Sequence, residues 1–218
     1  LLMSTNNIFS PANGSPIISP SQDVVMGCYY VTSSLPEGKG DGMVFSSFDE
    51  VVLAYSHGVV TTHSAIKVRL PANRKVKNDP EAKPGKLINT TVGRVLFNMM
   101  LPEGMPYYNT PLKSGDLAAV ISDCYELLGR AKTIDLLDAM QRFGFRQATL
   151  SGLSFGTDDL ITPPSKQRII QAAEKKVLQT HRNYQRGIIT DGERYNQVLD
   201  SWTHVCEQET SEMERGLE

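Results

Sequence analysis

The chain has 218 residues and a mass of 24.1 kDa, 40% hydrophobic and 21% charged, enough to bury one large core or two small ones. Its 22 Lys and Arg against 24 Asp and Glu leave a net charge of −2, which excludes a global electrostatic drive toward nucleic acid or membrane and leaves only local charge to consider. Cys28, Cys124 and Cys206 are odd in number and far apart, which argues against a disulfide framework or a structural zinc site and fits a reducing, cytoplasmic setting. No apolar run is long enough to span a bilayer, and "LLMSTNN" lacks the charged start of a signal peptide. The chain does not open on Met and is expected to be a piece of something longer.

The opening "NNIFSPANGSPIISPSQD" holds Pro11, Pro16 and Pro20, which exclude regular helix or central strand. Its apolar Ile8, Phe9, Ile17 and Ile18 argue for a rigid, shaped loop of the kind that walls a site. "SQDVVMGCYYVTSS" then reads as a helix with Ser21 as cap and Asp23 in its first turn. "MVFSSFDEVVLAYSHG" predicts a short strand and a helix capped by Ser46 or Ser47 and stopped at Gly58. "HSAIKVRLP" alternates as a strand, with Ile66, Val68 and Leu70 on one side. The basic tract from Pro71 to Lys86 predicts a solvated loop, and "TTVGRVLFNMMLP" a short strand or helix ending at Pro102.

Helices dominate beyond that point. One carries Leu117, Val120, Ile121, Cys124 and Leu127 on its apolar face, and the next Ile134, Leu137, Met140 and Phe143 or Phe145. The last third predicts two antiparallel helices with a tip at Ile188 to Asp191 and a capping box at Thr190 and Glu193. Their seam is expected to join Ile170, Ala173, Val177, Thr180 and Tyr184 to Tyr195, Val198, Trp202, Val205 and Met213. Between Lys166 and Arg186 lie six basic residues and one acidic; from Asp191 to the end, eight acidic and two basic. The two helices either pair their charges or offer them to a partner. The fold class expected is α+β and mostly helical, a mixed domain with short strands followed by a helical hairpin.

Short motifs carry little chemistry. "GLSFG", Gly152 to Gly156, matches a G-x-S-x-G nucleophile elbow, but two prolines follow where a helix should begin, so a serine hydrolase built on Ser154 is a poor alternative. "GKGDG" lacks the ending of a phosphate-binding loop, His57 and His63 have no third ligand at useful spacing, and adjacent Asp158 and Asp159 point apart. A free-standing hairpin that binds other proteins is the second alternative.

Five blocks, "LLMSTNNIFSPANGSPIISPSQDVVMGCYY", "TTVGRVLFN", "LPEGMPYYN", "GFRQATLSGLSFGTDDL" and "RGIITDGERYNQVLDSW", closely resemble, in this order, the middle of the β′ subunits of bacterial DNA-dependent RNA polymerases. The resemblance spans essentially the whole chain. It implies a pore domain over residues 1–160 and a funnel or rim hairpin over 161–218, flanking the secondary channel through which nucleotides enter and backtracked RNA leaves. Asn7, Ser10, Pro11, Asn13, Gly14, Gln22 and Asp23 are then expected at the channel wall near the active centre, and Lys175, Lys176, Arg182, Arg186 and Arg194 at a rim where regulators dock. The triple-aspartate D-F-D-G-D signature is absent, so the resemblance implies no catalytic or metal-binding residue in this chain, with magnesium and zinc held elsewhere in the full subunit. Implied partners are the rest of β′, the β, α and ω subunits, DNA, RNA, nucleoside triphosphates and secondary-channel regulators, with no membrane. An alarmone pocket known in some relatives is not carried over, because Ala131 and Asp135 depart from its pattern.

Overall fold

The computed structural model describes residues 3, 7–35, 38–77, 83–154, 156–159 and 161–217. The chain is α+β and mostly helical, and it divides into two compact units, Leu1–Leu153 and Ser154–Glu218. The boundary expected at Leu160 falls on a residue outside the described set.

The first unit contains a small mixed sheet. Strand β1 (Val44–Phe45) runs parallel to β2 (Ala65–Arg69), which pairs antiparallel with β3 (Leu87–Thr91). β2 alternates as its sequence predicts, with Ile66 and Val68 buried. β3 is a strand the sequence did not announce, because "LINTT" reads as largely polar. It pairs Ile88 with Val68, and the buried Thr90 hydroxyl is satisfied by the Tyr107 hydroxyl at 2.8 Å. Helix α2 (Phe48–Ser56) begins as expected: the Ser47 side chain accepts from the Glu50 amide, and the Glu50 carboxylate accepts from the Ser46 amide at 2.6 Å. Gly58, at φ +67°, lies just past its end.

Two apolar clusters flank helix α3 (Val92–Met100). One joins Phe45, Val51, Ile66, Val68, Ile88, Val95 and Tyr107. The other joins α1 (Gln22–Thr32), α3 and α4 (Ser114–Ser151) through Val24, Cys28, Phe97, Leu117, Ile121, Cys124, Leu136 and Met140. Burial pushes the Cys28 thiol up to about 12, which makes it a packing group and not a nucleophile. Asn98 is fully buried between these elements; its Oδ1 accepts from the Tyr108 amide and its Nδ2 donates to the Tyr108 and Arg94 carbonyls, each at 2.8 Å.

Three expectations need correcting. Ser21 sits at the N-terminus of α1 without capping it by side chain; the Val24 amide donates to its backbone carbonyl instead. The two helices expected after Ser114 are present, joined end to end as α4 with non-helical backbone at Gly129, but Leu127 is 58% exposed and Leu128 takes the inward position, since it continues the face of Leu117, Ile121 and Cys124 at helical spacing. Beyond Gly129, Met140 is buried and Leu137 and Phe143 pack on the core as expected, Leu136 is buried as well, and Phe145 is exposed. The basic tract is not simply solvated: Arg74 donates to the Asn98 and Leu101 carbonyls, Val76 is buried beside Tyr107, and Lys77 forms an ion pair with Asp123, which also accepts from the Tyr108 hydroxyl at 2.5 Å. Its centre, 78–82, lies outside the described residues.

The second unit is the predicted hairpin, α5 (Lys166–Gln185) and α6 (Asp191–Leu217). Gly187 turns the chain at φ +73°, and the capping box forms, with the Thr190 amide donating to Glu193 at 2.8 Å and the Glu193 amide to the Thr190 hydroxyl at 3.3 Å. The seam is thinner and more polar than expected. Ala173, Thr180, Ser201 and Val205 are its buried residues, whereas Trp202 is 38% exposed and Tyr184, Tyr195 and Met213 are also exposed. Small side chains at the centre of a two-helix contact bring the backbones close, which leaves larger neighbours at its edge.

Candidate functional site

The opening loop folds into a narrow ribbon. The Ile17 amide donates to the Ile8 carbonyl at 2.7 Å, the Ser10 amide to the Ser15 carbonyl at 2.8 Å, and the Gly14 amide to the Ser10 carbonyl at 2.8 Å. Gly14 is left-handed at φ +67°, a conformation in which glycine carries no Cβ penalty. Asn13 Oδ1 accepts from both the amide and the hydroxyl of Ser15, so this oxygen is spent on shaping the turn. The Ser10 hydroxyl likewise accepts from the Ala12 amide at 3.3 Å. Asn7 donates to the Met3 carbonyl. Pro11 and Asn13 at the tip are exposed.

Gln22 and Asp23 belong to a different place. They join Ile18, Val24, Leu137, Asp138, Gln141 and Phe145 in lining a cleft of about 340 Å³. Gln22 has φ +49°, the only left-handed residue other than glycine among those described, at the point where the loop enters α1. A strained backbone held in place by its surroundings is common where a side chain must be aimed. The seven predicted wall residues therefore fall into a ribbon tip and a cleft edge, and the structure does not gather them into one pocket. Asp138 and Gln141 escaped sequence reading because they lie on α4 beside its apolar face, where polar residues look like ordinary solvated surface.

On the hairpin, Arg168, Lys175 and Arg182 recur every seven residues and Arg186 follows. At about 100° per residue Lys175, Arg182 and Arg186 lie opposite Ala173 and Thr180, on the face turned away from α6, whereas Arg168 lines a groove shared with His204 and Glu207. Glu193, Asp200, Glu207 and Glu214 recur every seven residues on α6 in the same way. Among the described residues no ion pair joins α5 to α6. Lys176 is set apart, in a groove of about 410 Å³ beside Ala172, Ala173 and Val205. Arg194 is committed to the tip: its Nε and Nη2 donate to Asp191 at 3.0 and 2.8 Å, and its guanidinium lies 5.4 Å from the Tyr184 ring centre. Of the five predicted docking residues, Lys175, Arg182 and Arg186 share one free face.

Gly152 ends α4 in left-handed conformation, so the serine of "GLSFG" follows a helix and not a strand, which removes the geometric basis of the hydrolase reading. Among the described residues no cluster of His, Cys, Asp and Glu is placed to hold a metal ion, and no helix is long and apolar enough to cross a membrane.

Comparison with known proteins decides the family. The model of RNA polymerase Rpb1, domain 3, matches residues 7–160. The chain belongs to this family. Over its full length it is 55% identical to the DNA-directed RNA polymerase subunit beta′ of Rhodopirellula baltica, 42% to that of Nitrosococcus oceani, and 43% to that of Pseudoalteromonas translucida. It spans about 15% of the length of these relatives, and the similarity includes the hairpin that the family model leaves unmatched. A separate binding hairpin is not supported, since both units are continuous with one larger type of subunit.

Proposed function

We propose that the chain is an internal segment of the β′ subunit of a bacterial, cytoplasmic DNA-directed RNA polymerase, with its first unit serving as the pore domain and its second as the rim of the secondary channel. The observation that carries this reading is the similarity of 40–55% over the whole chain to proteins of that name. Transcription by the full enzyme is nucleotidyl transfer on a DNA template. Magnesium and zinc are held outside this segment, and the rest of β′ with β, α and ω completes the assembly.

Within that reading the chain contributes no reacting group. The ribbon of residues 8–17 supplies a rigid wall of uncharged groups past which nucleoside triphosphates and RNA 3′ ends move, because the amides of Ser10, Ala12, Gly14, Ser15 and Ile17 are satisfied within it and its prolines donate none. Gln22 offers its amide at the cleft edge, and Asn13 offers only its NH₂ group, because its oxygen is engaged. Rim residues Lys175, Arg182 and Arg186 attract anionic partners, among them nucleotides and the acidic tips of channel-inserted regulators.

The test is transcription by the assembled enzyme carrying Asn13→Ala or Gln22→Ala. Altered nucleotide addition, pausing or cleavage of backtracked RNA with intact assembly is the expected result. Wild-type rates in both variants would reduce the loop to a structural part.

A further inference from the structure

The opening loop is tied to α4 on both sides of its break, directly through Phe9 and, at its far end, through α1. Ahead of Gly129, Phe9 packs on Tyr125 with ring centres 4.6 Å apart and an interplanar angle of 54°, and the neighbouring Ile8 is buried. Beyond Gly129, the far end of the loop runs into α1, and α1 meets α4 almost backbone to backbone. A Cβ on Gly27 would lie 2.0 Å from the Gly144 carbonyl oxygen, and one on Gly144 would lie 2.7 Å from Val24 Cγ1. One turn further along, α1 is equally close to α3, since a Cβ on Gly93 would lie 1.9 Å from the Val31 carbonyl oxygen. Contacts this close leave α1 no freedom to slide or roll without moving α4.

Gly129 itself has φ 78° and ψ 179°, a region open essentially to glycine alone. It changes the direction of α4 between the two points to which the ribbon is attached. We infer that the break at Gly129 sets the span of the opening loop, with Phe9, Tyr125, Gly27 and Gly144 as positioning residues that fix where the loop stands. Its consequence for nucleotide traffic rests on the pore reading above; the mechanical claim does not.

Amide exchange in the intact polymerase, read by mass spectrometry over residues 8–17, separates the two. Tyr125→Ala should speed exchange in this ribbon by roughly tenfold while leaving β2 and β3 unchanged, and Tyr125→Phe should restore protection. Gly129→Ala should perturb the same ribbon, as should Gly144→Ala. Should the latter fail to assemble, Tyr125→Ala at a ring already 41% exposed carries the test. The apparent KM for nucleotides should rise by about threefold or more in Tyr125→Ala, with a smaller change in kcat. Unchanged exchange in both Tyr125→Ala and Gly129→Ala overturns the inference. Faster exchange with wild-type addition and cleavage of RNA upholds the positioning and contradicts the pore reading.

Discussion

The two units use their residues in opposite ways. The first buries large side chains from distant parts of the chain, among them Phe97, Tyr107, Leu117 and Met140, and ties backbone carbonyls and amides to them through Asn98 and Arg74, with Asp123 pairing Lys77 and Tyr108. The second joins two helices through Ala173, Thr180, Ser201 and Val205 and carries Lys175, Arg182 and Arg186 on an outer face. One is built to hold a backbone in place and the other to present a surface. Loss of a side chain should therefore act on stability in the first unit and on binding in the second.

The sharpest break of that contrast is Phe97→Ala. This ring is fully buried, and its removal should cost about 3–5 kcal/mol in denaturant unfolding. Asn98→Ala comes next, at about 2–3 kcal/mol, because it leaves the Tyr108 amide and carbonyl buried without partners. Trp202→Ala should cost about 1–2 kcal/mol, since a ring 38% exposed leaves much of its surface in water. A loss at Trp202 equal to that at Phe97 would mean that the hairpin is as tightly packed as the first unit.

Charge and pH sharpen the comparison at its weaker end. Reversing Lys175, Arg182 and Arg186 to Glu should leave the helical circular dichroism melt nearly unchanged, because their face is turned away from α6, yet weaken the binding of an acidic regulator and flatten its salt dependence. A large drop in melting temperature would mean that these residues serve the neighbouring helix after all. The smallest effect concerns Glu193. The Thr190 amide and hydroxyl that it accepts from hold its carboxyl below the ordinary value of 4.5. A lowered folded value means stability that is present above pH 4.5 and is lost as the pH falls through the folded value. The melting difference between wild type and Glu193→Ala should accordingly shrink on acidification below pH 4.5 and stay constant above it.

Local signals were mostly legible. A cap at Ser46 or Ser47, the pairing of Thr190 with Glu193 and the alternation of β2 are decided within a few residues, although the equally local Ser21 does not cap by its side chain. Signals decided by distant partners were not legible. β3 becomes a strand because β2 is there to pair with it, and Val76 is buried because Tyr107 lies across from it. Leu127 and Trp202 had plausible spacing for a core, but Leu128 takes the inward position ahead of Gly129 and a seam of small residues leaves Trp202 at its edge. At the candidate site, composition identified a rigid loop, whereas the use of the Asn13 oxygen within its own turn and the left-handed Gln22 are backbone facts with no sequence pattern.

The central claim is that the opening ribbon lines the path of RNA through the enzyme. The direct measurement places a photo-crosslinking amino acid at position 13 of the assembled polymerase and illuminates complexes halted before and after backtracking. Attachment to the RNA 3′ segment in backtracked complexes, absent before backtracking, is the result predicted. An enzyme that elongates and backtracks normally but forms no crosslink to RNA in either state would contradict it.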